Sequence, residues 1–419
     1  MTTPLIFGLT IINSPALPLR TIHTDVTIIG GGIAGLWLLN RLRNDGYTAL
    51  LFEHQALGGG QTVASQGMIH GGIKYTLNGA LSGASEAIAG MPEHWRRCLR
   101  GEGDVDLRGG QILSDHFYLW SAKGAAAKLT TFLASKATRG RVDRVRGTDL
   151  PALLKNPRFK GSVYKLVDMV LDVPSLIQIL ANRVANHIYL LDWQRAQLLT
   201  NNATGMTELR IAGDMEILNV TGRAVVLTAG QGNEALLQQA GATLPIMQRR
   251  PLQQVMVKHR HLQPFYGHCL GTDTTPRLTI SSHPCADGGQ VWYLGGALAE
   301  KGVDLTPEAL INNARNELAA LLPWVELCDA QWATLAIDRA EPRQRNLARP
   351  DQAFADWATG CSNVIAAWPT KLTLAPNLST TVIDLLQQRG IRPDSRPCPE
   401  LPLPGPPLAL APWQQAFGG

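Results

Sequence analysis

The stretch ASQGMIHGGIKY, Ala64 to Tyr75, gathers small residues around one histidine, one lysine and one tyrosine. Small residues let a backbone approach a partner closely. Histidine and lysine are the side chains that move protons or hold anions. His70 and Lys74 are therefore candidates for chemistry at a surface that Ala64, Ser65, Gln66, Gly67 and Met68 approach with their main chain. A second set of residues lies upstream. Gly30-x-Gly32-x-x-Gly35 is followed by an acidic residue, Glu53, 23 positions after Gly30. Gly30 permits a tight turn, Gly32 lets the backbone meet a pyrophosphate, and Gly35 lets a helix and a strand pack closely. The helix N-terminus, with Ile33 and Ala34, offers N–H groups to the phosphates. Glu53, next to His54, can accept ribose hydroxyls. This is the pattern of a dinucleotide site, and the unit alone does not choose between dinucleotides.

The elements that must position these residues are readable. DVTIIG is a buried apolar run bounded by glycine, as a central parallel strand is. Ile33 to Arg43 carries an apolar stripe at helical spacing and ends at Asn44, Asp45 and Gly46. TALLFE is the next strand, completing a βαβ unit. A similar strand, turn and helix recur far downstream in RAVVLTAGQGNEALLQQAG, with the turn at Ala229, Gly230 and Gly232. Asp172 to Val184 reads as a helix entered at Pro174. The dinucleotide domain is thus interrupted and resumed. After Ala242 the pattern becomes antiparallel, with QQVMVKH, RLTISSH and QVWYLGGA as strands. TPEALINNARNELAALLPW is one amphipathic helix started by Thr306 and Pro307, and Ser379 to Arg389 is the last helix candidate. The boundaries expected are 22–81, 171–241 and 339–392 for the dinucleotide domain. Residues 82–170 and 242–338 form a second, substrate domain, and 393–419 is a proline-rich tail. Composition makes that tail extended or disordered and gives it no role.

The segment LGGGQTVASQGMIHGG after Glu53, with VVLTAGQG and NVIAAWPTKLTLAPNLS, resembles the D-amino acid oxidase/glycerol-3-phosphate dehydrogenase superfamily, and the chain is glycine-oxidase-like over most of residues 22–390. The resemblance implies an α/β fold. It pairs a discontinuous Rossmann-like FAD-binding domain of the GR2 type with an α+β substrate domain on an antiparallel sheet. It implies FAD as cofactor, with Ala64–Met68 along the flavin and Thr370, Lys371, Leu372 and Thr373 at a helix start facing the pyrimidine ring. IHGGIKY is similar to the HGG-x-arginine-tyrosine stretch of glycerol-3-phosphate dehydrogenases, with Lys74 in place of arginine. The family's arginine facing the substrate anion is matched by Arg339, although two residues separate it from Pro342. Tyr293 and Lys371 are further candidates for the substrate side. The activity implied is hydride removal from a C–H next to an amine or hydroxyl of a small anionic substrate, with dioxygen or a quinone as acceptor.

Composition sets the outer limits. The chain has 419 residues, 45% hydrophobic and 17% charged, and can bury a sizeable core. Its six cysteines are scattered without a Cys-x-x-Cys pair, which speaks against metal and thioredoxin-type chemistry and fits a reducing cytoplasm. The opening residues lack the charge pattern of a signal peptide and are read as a weak extension. Between Lys123 and Lys165 stand eleven basic residues against Asp143 and Asp149, within an overall charge of +5. That cluster is a solvated face or a docking surface for nucleic acid or an anionic membrane. It raises two alternatives to small-molecule oxidation: oxidative trimming of a modified nucleic-acid base, and a non-catalytic flavin-binding scaffold.

Overall fold

The computed structural model describes residues 17–71, 88–122, 142–260, 262–271, 275–394 and 396–418. Lys74 and the basic residues from Lys123 to Arg141 lie outside them.

Strand β1 (Leu19–Ile29) runs into the glycine turn, helix α1 (Ile33–Asn44) follows, and strand β2 (Ala49–Glu53) returns beside β1. The parallel core of this sheet continues on both sides. Ile188–Leu190 lies against β2, Ile217–Leu227 against β1, and Val364–Trp368 against Ile217–Leu227. The β2 strand is buried along its whole length, as expected for a strand covered on both faces. Helix α1 packs Trp37 against Trp95 of the helix Met91–Arg100, with ring centroids 4.6 Å apart. The helix Val173–Arg183 is started by Asp172, whose carboxylate accepts the Ser175 N–H.

The second sheet has eight strands. Gln331–Pro342 forms one edge and Val142–Val145 the other, with six strands between them. Met247–His259, Gln290–Gly295, Leu278–Pro284 and Gly267–Leu270 pair antiparallel in that order after the first edge. Phe117–Ser121 then joins Gly267–Leu270 in parallel. The helix Pro307–Leu321 covers one face, burying Leu310, Ala314, Leu318 and Leu321 with Val255, Val257 and Trp292. A small three-stranded sheet of Met68–Ile69, Met169–Leu171 and Ile112–Ser114 lies where the small-residue stretch from Ala64 ends. Among the described residues no helix is long and apolar enough to cross a membrane.

Two features differ from what composition suggests. The proline-rich tail is extended yet packed: Leu401, Ala411 and Trp413 are buried, and 412–417 form a short helix. Cys98, His94 and Asp104 cluster within 4.8 Å of one another. Arg41 donates to Asp104 at 2.9 Å, and burial pushes the Cys98 thiol up to about 12. The group works as a hydrogen-bonded latch holding the helix Met91–Arg100 to α1.

The glycines of the turn are sterically required. A Cβ on Gly35 would stand 2.0 Å from the Gly30 carbonyl oxygen and 2.8 Å from Thr228 Oγ1. Gly30 has φ +113 and lies against the Ala229 backbone. Gly35→Ala is expected to push α1 off the sheet and destabilise the cofactor-free protein by about 2–4 kcal/mol, read from urea unfolding.

Candidate functional site

The glycine turn offers what a pyrophosphate needs. The first hydrogen bond of α1 runs from Leu36 N–H to the Gly32 carbonyl, so the N–H groups ahead of it face the turn. Thr62 Oγ1, which the sequence reading did not single out, accepts the Ile33 N–H at 3.1 Å. A Cβ on Gly32 would meet only that hydroxyl, at 3.1 Å, so this side of the turn is open to a phosphate. Glu53 ends β2 with its carboxylate gathered on backbone donors. Its Oε2 accepts Gly31 N–H at 2.6 Å and its Oε1 accepts the N–H groups of His54 and Gln55. Burial alone would raise this carboxyl. The hydrogen bonds from His54, Gly31 and Gln55 outweigh it and hold the group below the usual glutamate range. The Glu53 carboxylate in turn raises the proton affinity of the His54 imidazole, whose Nδ1 lies 3.1 Å from Oε1.

Beyond the local turn bonds of Ala64 and Ser65 to Gly60 and Thr62, the loop Ala64–Met68 is held by distant elements. The Tyr293 hydroxyl donates to the Ala64 carbonyl at 3.1 Å. The Gln66 side-chain amide donates to the Tyr293 carbonyl at 2.8 Å and to Ser281 Oγ at 3.2 Å. Gly67, at φ +70, accepts the Leu171 N–H, and a Cβ there would stand 2.1 Å from the Leu171 carbonyl oxygen. Thr373 Oγ1 accepts from His70 N–H and donates to the Met68 carbonyl, tying the loop to the start of the helix Ala375–Gln388. The Trp95 indole steadies that start by donating to the Thr373 carbonyl at 3.0 Å. Ser65 Oγ is buried with no hydrogen-bond partner among the described residues. An orphaned hydroxyl on a loop of small residues fits a polar cofactor lying against it.

The downstream turn completes this side. Gly230 adopts φ +59, its carbonyl accepts from the Trp368 indole, and the Ala229 N–H is held by Asn233. Thr370 sits at φ +59, and Lys371 and Leu372 follow it into the turn Leu372–Leu374. Gln61 Oε1 accepts the Ala340 N–H, which docks the strand Gln331–Pro342 onto the glycine-rich loops.

His70 is buried and paired. Its Nδ1 lies 3.3 Å from Asp168 Oδ2, while Asp168 Oδ1 accepts the Gly71 N–H at 2.8 Å. Its ring stacks on His268 at 5.9 Å. Asp168 has no motif around it in the sequence and becomes visible only when Met169–Leu171 pairs with Met68–Ile69.

The cations converge elsewhere. Arg250 and Arg339 are opposite one another on neighbouring strands. Arg250 makes a two-pronged pair with buried Glu341, at 2.7 and 2.9 Å. Arg339 donates to the carbonyls of Arg250 and Pro251. Burial, with repulsion from Arg250 and Arg349, lowers Arg339 to about 10. Lys371 donates to the carbonyls of Pro350 and Asp351. Burial first, and Arg349 next, lower it to about 8. Arg250 and Arg349 carry no sequence signal of their own. Tyr293, expected on the substrate side, instead spends its hydroxyl on Ala64 and packs with Met256, Val291 and Trp413. Its geometry is that of a support for the loop.

The model of the FAD dependent oxidoreductase family matches residues 25–354. The chain belongs to this family. It is 50% identical over 405 residues to the probable FAD-dependent oxidoreductase PA4991 of Pseudomonas aeruginosa, covering 95% of this chain and 99% of that protein. The crystal structure of PA4991 superposes with a TM-score of 0.81 at 45% identity, over 95% of this chain and 99% of that one. The fold is shared more distantly with glycine oxidase from Geobacillus kaustophilus, at a TM-score of 0.62 and 17% identity over 88% and 95% of the two chains. It is also shared with the FAD-bound L-alpha-glycerophosphate oxidase from Mycoplasma pneumoniae, at 0.61 and 13% over 91% and 97%. FAD is thus the dinucleotide of this family member, and the glycine turn and the loop Ala64–Met68 fit it.

The pairing at His70 constrains its ring. An ionised carboxylate only accepts, so the His70 Nδ1 that faces Asp168 Oδ2 carries a proton. Asp168→Asn keeps an acceptor for Gly71 N–H and turns an amide N–H toward Nδ1. The expected outcome is a tautomer switch at His70, seen in imidazole 15N shifts of histidine-labelled protein.

Proposed function

We propose that this flavoenzyme oxidises a small anionic substrate at a C–H bond next to an amine or hydroxyl. The observation that carries this reading is the cationic cluster of Arg250, Arg339, Arg349 and Lys371. It lies where the strand Gln331–Pro342 and the helix start at Thr373 meet the FAD-binding loops. Glu341 is already committed to Arg250. Burial first, and neighbouring cations next, lower the affinity of Arg339 and Lys371 for their protons, and an arriving carboxylate or phosphate would favour their charged forms.

FAD, when bound, supplies the two-electron oxidation. The protein supplies position and proton control. Arg339 and Lys371 hold the substrate anion and turn the reacting carbon toward the loop. His70 acts at the other end: with Nδ1 fixed by Asp168, its Nε2 accepts the proton of a substrate hydroxyl. An amine substrate needs only to arrive neutral, and His70 then serves as a hydrogen-bond partner. Lys74, outside the described residues, is proposed as a further substrate contact. The electron acceptor is proposed as dioxygen or a quinone, and the setting as cytoplasmic. The domain boundaries of the sequence reading are kept as part of this proposal, with the substrate held between the two sheets.

The described part of the basic run supports the small-molecule reading over a nucleic-acid one. Arg144, Arg146, Lys155, Arg158 and Lys160 are exposed, and Arg144 stands on the edge strand Val142–Val145. Six strands separate that edge from the strand carrying Arg339.

Anaerobic mixing with glycine, sarcosine, D-amino acids, 2-hydroxyglutarate and glycerol-3-phosphate should bleach the flavin with at least one of these classes. Bleaching by modified-nucleoside or RNA fractions alone would overturn the proposal. A second test uses pH. Lys371 is protonated below about 8 and loses its charge above it. Affinity for a carboxylate ligand should therefore be highest below pH 8 and fall as pH rises through it. Lys371→Arg should hold its charge and flatten that limb in an equilibrium titration of the flavin absorbance.

A further inference from the structure

The tail, which composition left without a role, touches both ends of the cofactor site. Leu401 N–H donates to the Tyr189 hydroxyl, and Leu190 N–H donates to the Pro404 carbonyl. Leu57 is then gripped on both sides: its N–H donates to the Pro407 carbonyl and its carbonyl accepts from Ala409 N–H, at 2.8 and 2.9 Å. Leu57 is the side chain that covers the glycine turn, since a Cβ on Gly31 would stand 2.5 Å from its Cδ2. This contact lies beside Glu53, at the adenosine end.

Farther along, the tail crosses to the second sheet. Trp413 is buried and stacks on His283, with centroids 4.1 Å apart and planes 23° apart. It also meets Tyr293 edge-on at 6.3 Å. His283 Nε2 and Ser281 Oγ share a hydrogen bond of 3.1 Å, and Ser281 accepts from Gln66. Tyr293 holds Ala64. Trp413 is therefore one side chain away from both supports of the flavin loop. His283 is fully enclosed, and burial drives its proton affinity down to about 3, so the stacked imidazole is neutral across the physiological range.

We propose that the C-terminal segment 401–417 is a strap for the FAD-binding loops, and that Trp413 and His283 are positioning residues for Ala64 and Gln66. One end of the strap sets Leu57 over the glycine turn. The other fixes the plane of His283 and Tyr293, from which the loop hangs. Removing the indole leaves a void behind two hydrogen-bond anchors rather than in a remote part of the core.

The test uses the full-length holoenzyme with Trp413→Ala and Trp413→Phe. FAD affinity is measured by fluorescence quenching. The temperature of flavin release is compared with the far-UV circular dichroism melt of the same sample. Trp413→Ala should weaken FAD binding about ten-fold or more, blur the visible flavin bands, and release flavin below the temperature of global unfolding. Trp413→Phe should restore most of the affinity. A Trp413→Ala protein that binds FAD like the parent, or loses it only as the whole chain melts, overturns the proposal. If Trp413→Ala does not yield folded protein, Ser281→Ala decides the matter. It cuts the link between His283 and Gln66 while leaving the tail in place. It should shift FAD affinity and the flavin bands in the same direction, and no change in either overturns the strap.

Discussion

A loop that must lie against a planar cofactor cannot carry large side chains toward it, and a loop without large side chains cannot pack itself. The stretch Ala64–Gly67 has the composition that such a loop needs, and the surrounding structure holds it with borrowed anchors. The Tyr293 hydroxyl and carbonyl, the Leu171 strand and the Thr373 hydroxyl each hold one residue of the stretch or its immediate continuation. These anchors come from the second sheet, the small sheet and the last long helix. The rigidity of the site is therefore a property of how those layers meet. Buried hydrogen bonds of this kind contribute modestly to net stability, but they are expensive to leave unmade.

The same constraint explains why Gly67 is glycine. Close approach of a cofactor is one demand for smallness in such a stretch. At Gly67 the demand comes from the opposite side, where the Leu171 carbonyl fills the place of a Cβ and φ is positive. Small residues thus serve two masters here, one on each face of the loop.

Legibility followed sequence distance. The βαβ unit was readable because strand, turn, helix and acidic terminus are contiguous, and each local preference points to the same geometry. The helix start at Thr306 was readable for a similar reason: its hydroxyl accepts the Ala309 N–H three residues on. Asp168, Thr62, Arg250 and Trp413 were not readable. Each acts on a residue far away in the chain, and each stands in local surroundings that look ordinary. The tail shows the limit most clearly. A run of prolines removes backbone donors and forbids helix, which is a statement about conformation. Whether such a chain packs depends on the shape of the surface beneath it, and here that surface accepts Leu401 and Trp413. Tyr293 shows the converse. Its strand is readable from the pattern, but the direction of its hydroxyl is set by strand register, which places it toward Ala64.

The cationic cluster and the His70–Asp168 pair are built differently. Asp168 gives Oδ1 to the Gly71 N–H and sets Oδ2 3.3 Å from His70 Nδ1. That arrangement orients the His70 ring. The cluster is the opposite case. Glu341 satisfies Arg250 with both oxygens, and the backbone carbonyls that receive Arg339 and Lys371 are dipoles, not charges. Carboxylates stand farther off: Glu300 Oε1 lies 3.7 Å from Arg339 Nη1, and Asp351 Oδ1 lies 3.9 Å from Lys371 Nζ. Burial first, and the neighbouring cations next, lower the proton affinity of Arg339 and Lys371. The two groups therefore differ by construction: one is a buried imidazole set against a carboxylate, the other a set of cations held by carbonyls and by the carboxylates of Glu341, Glu300 and Asp351.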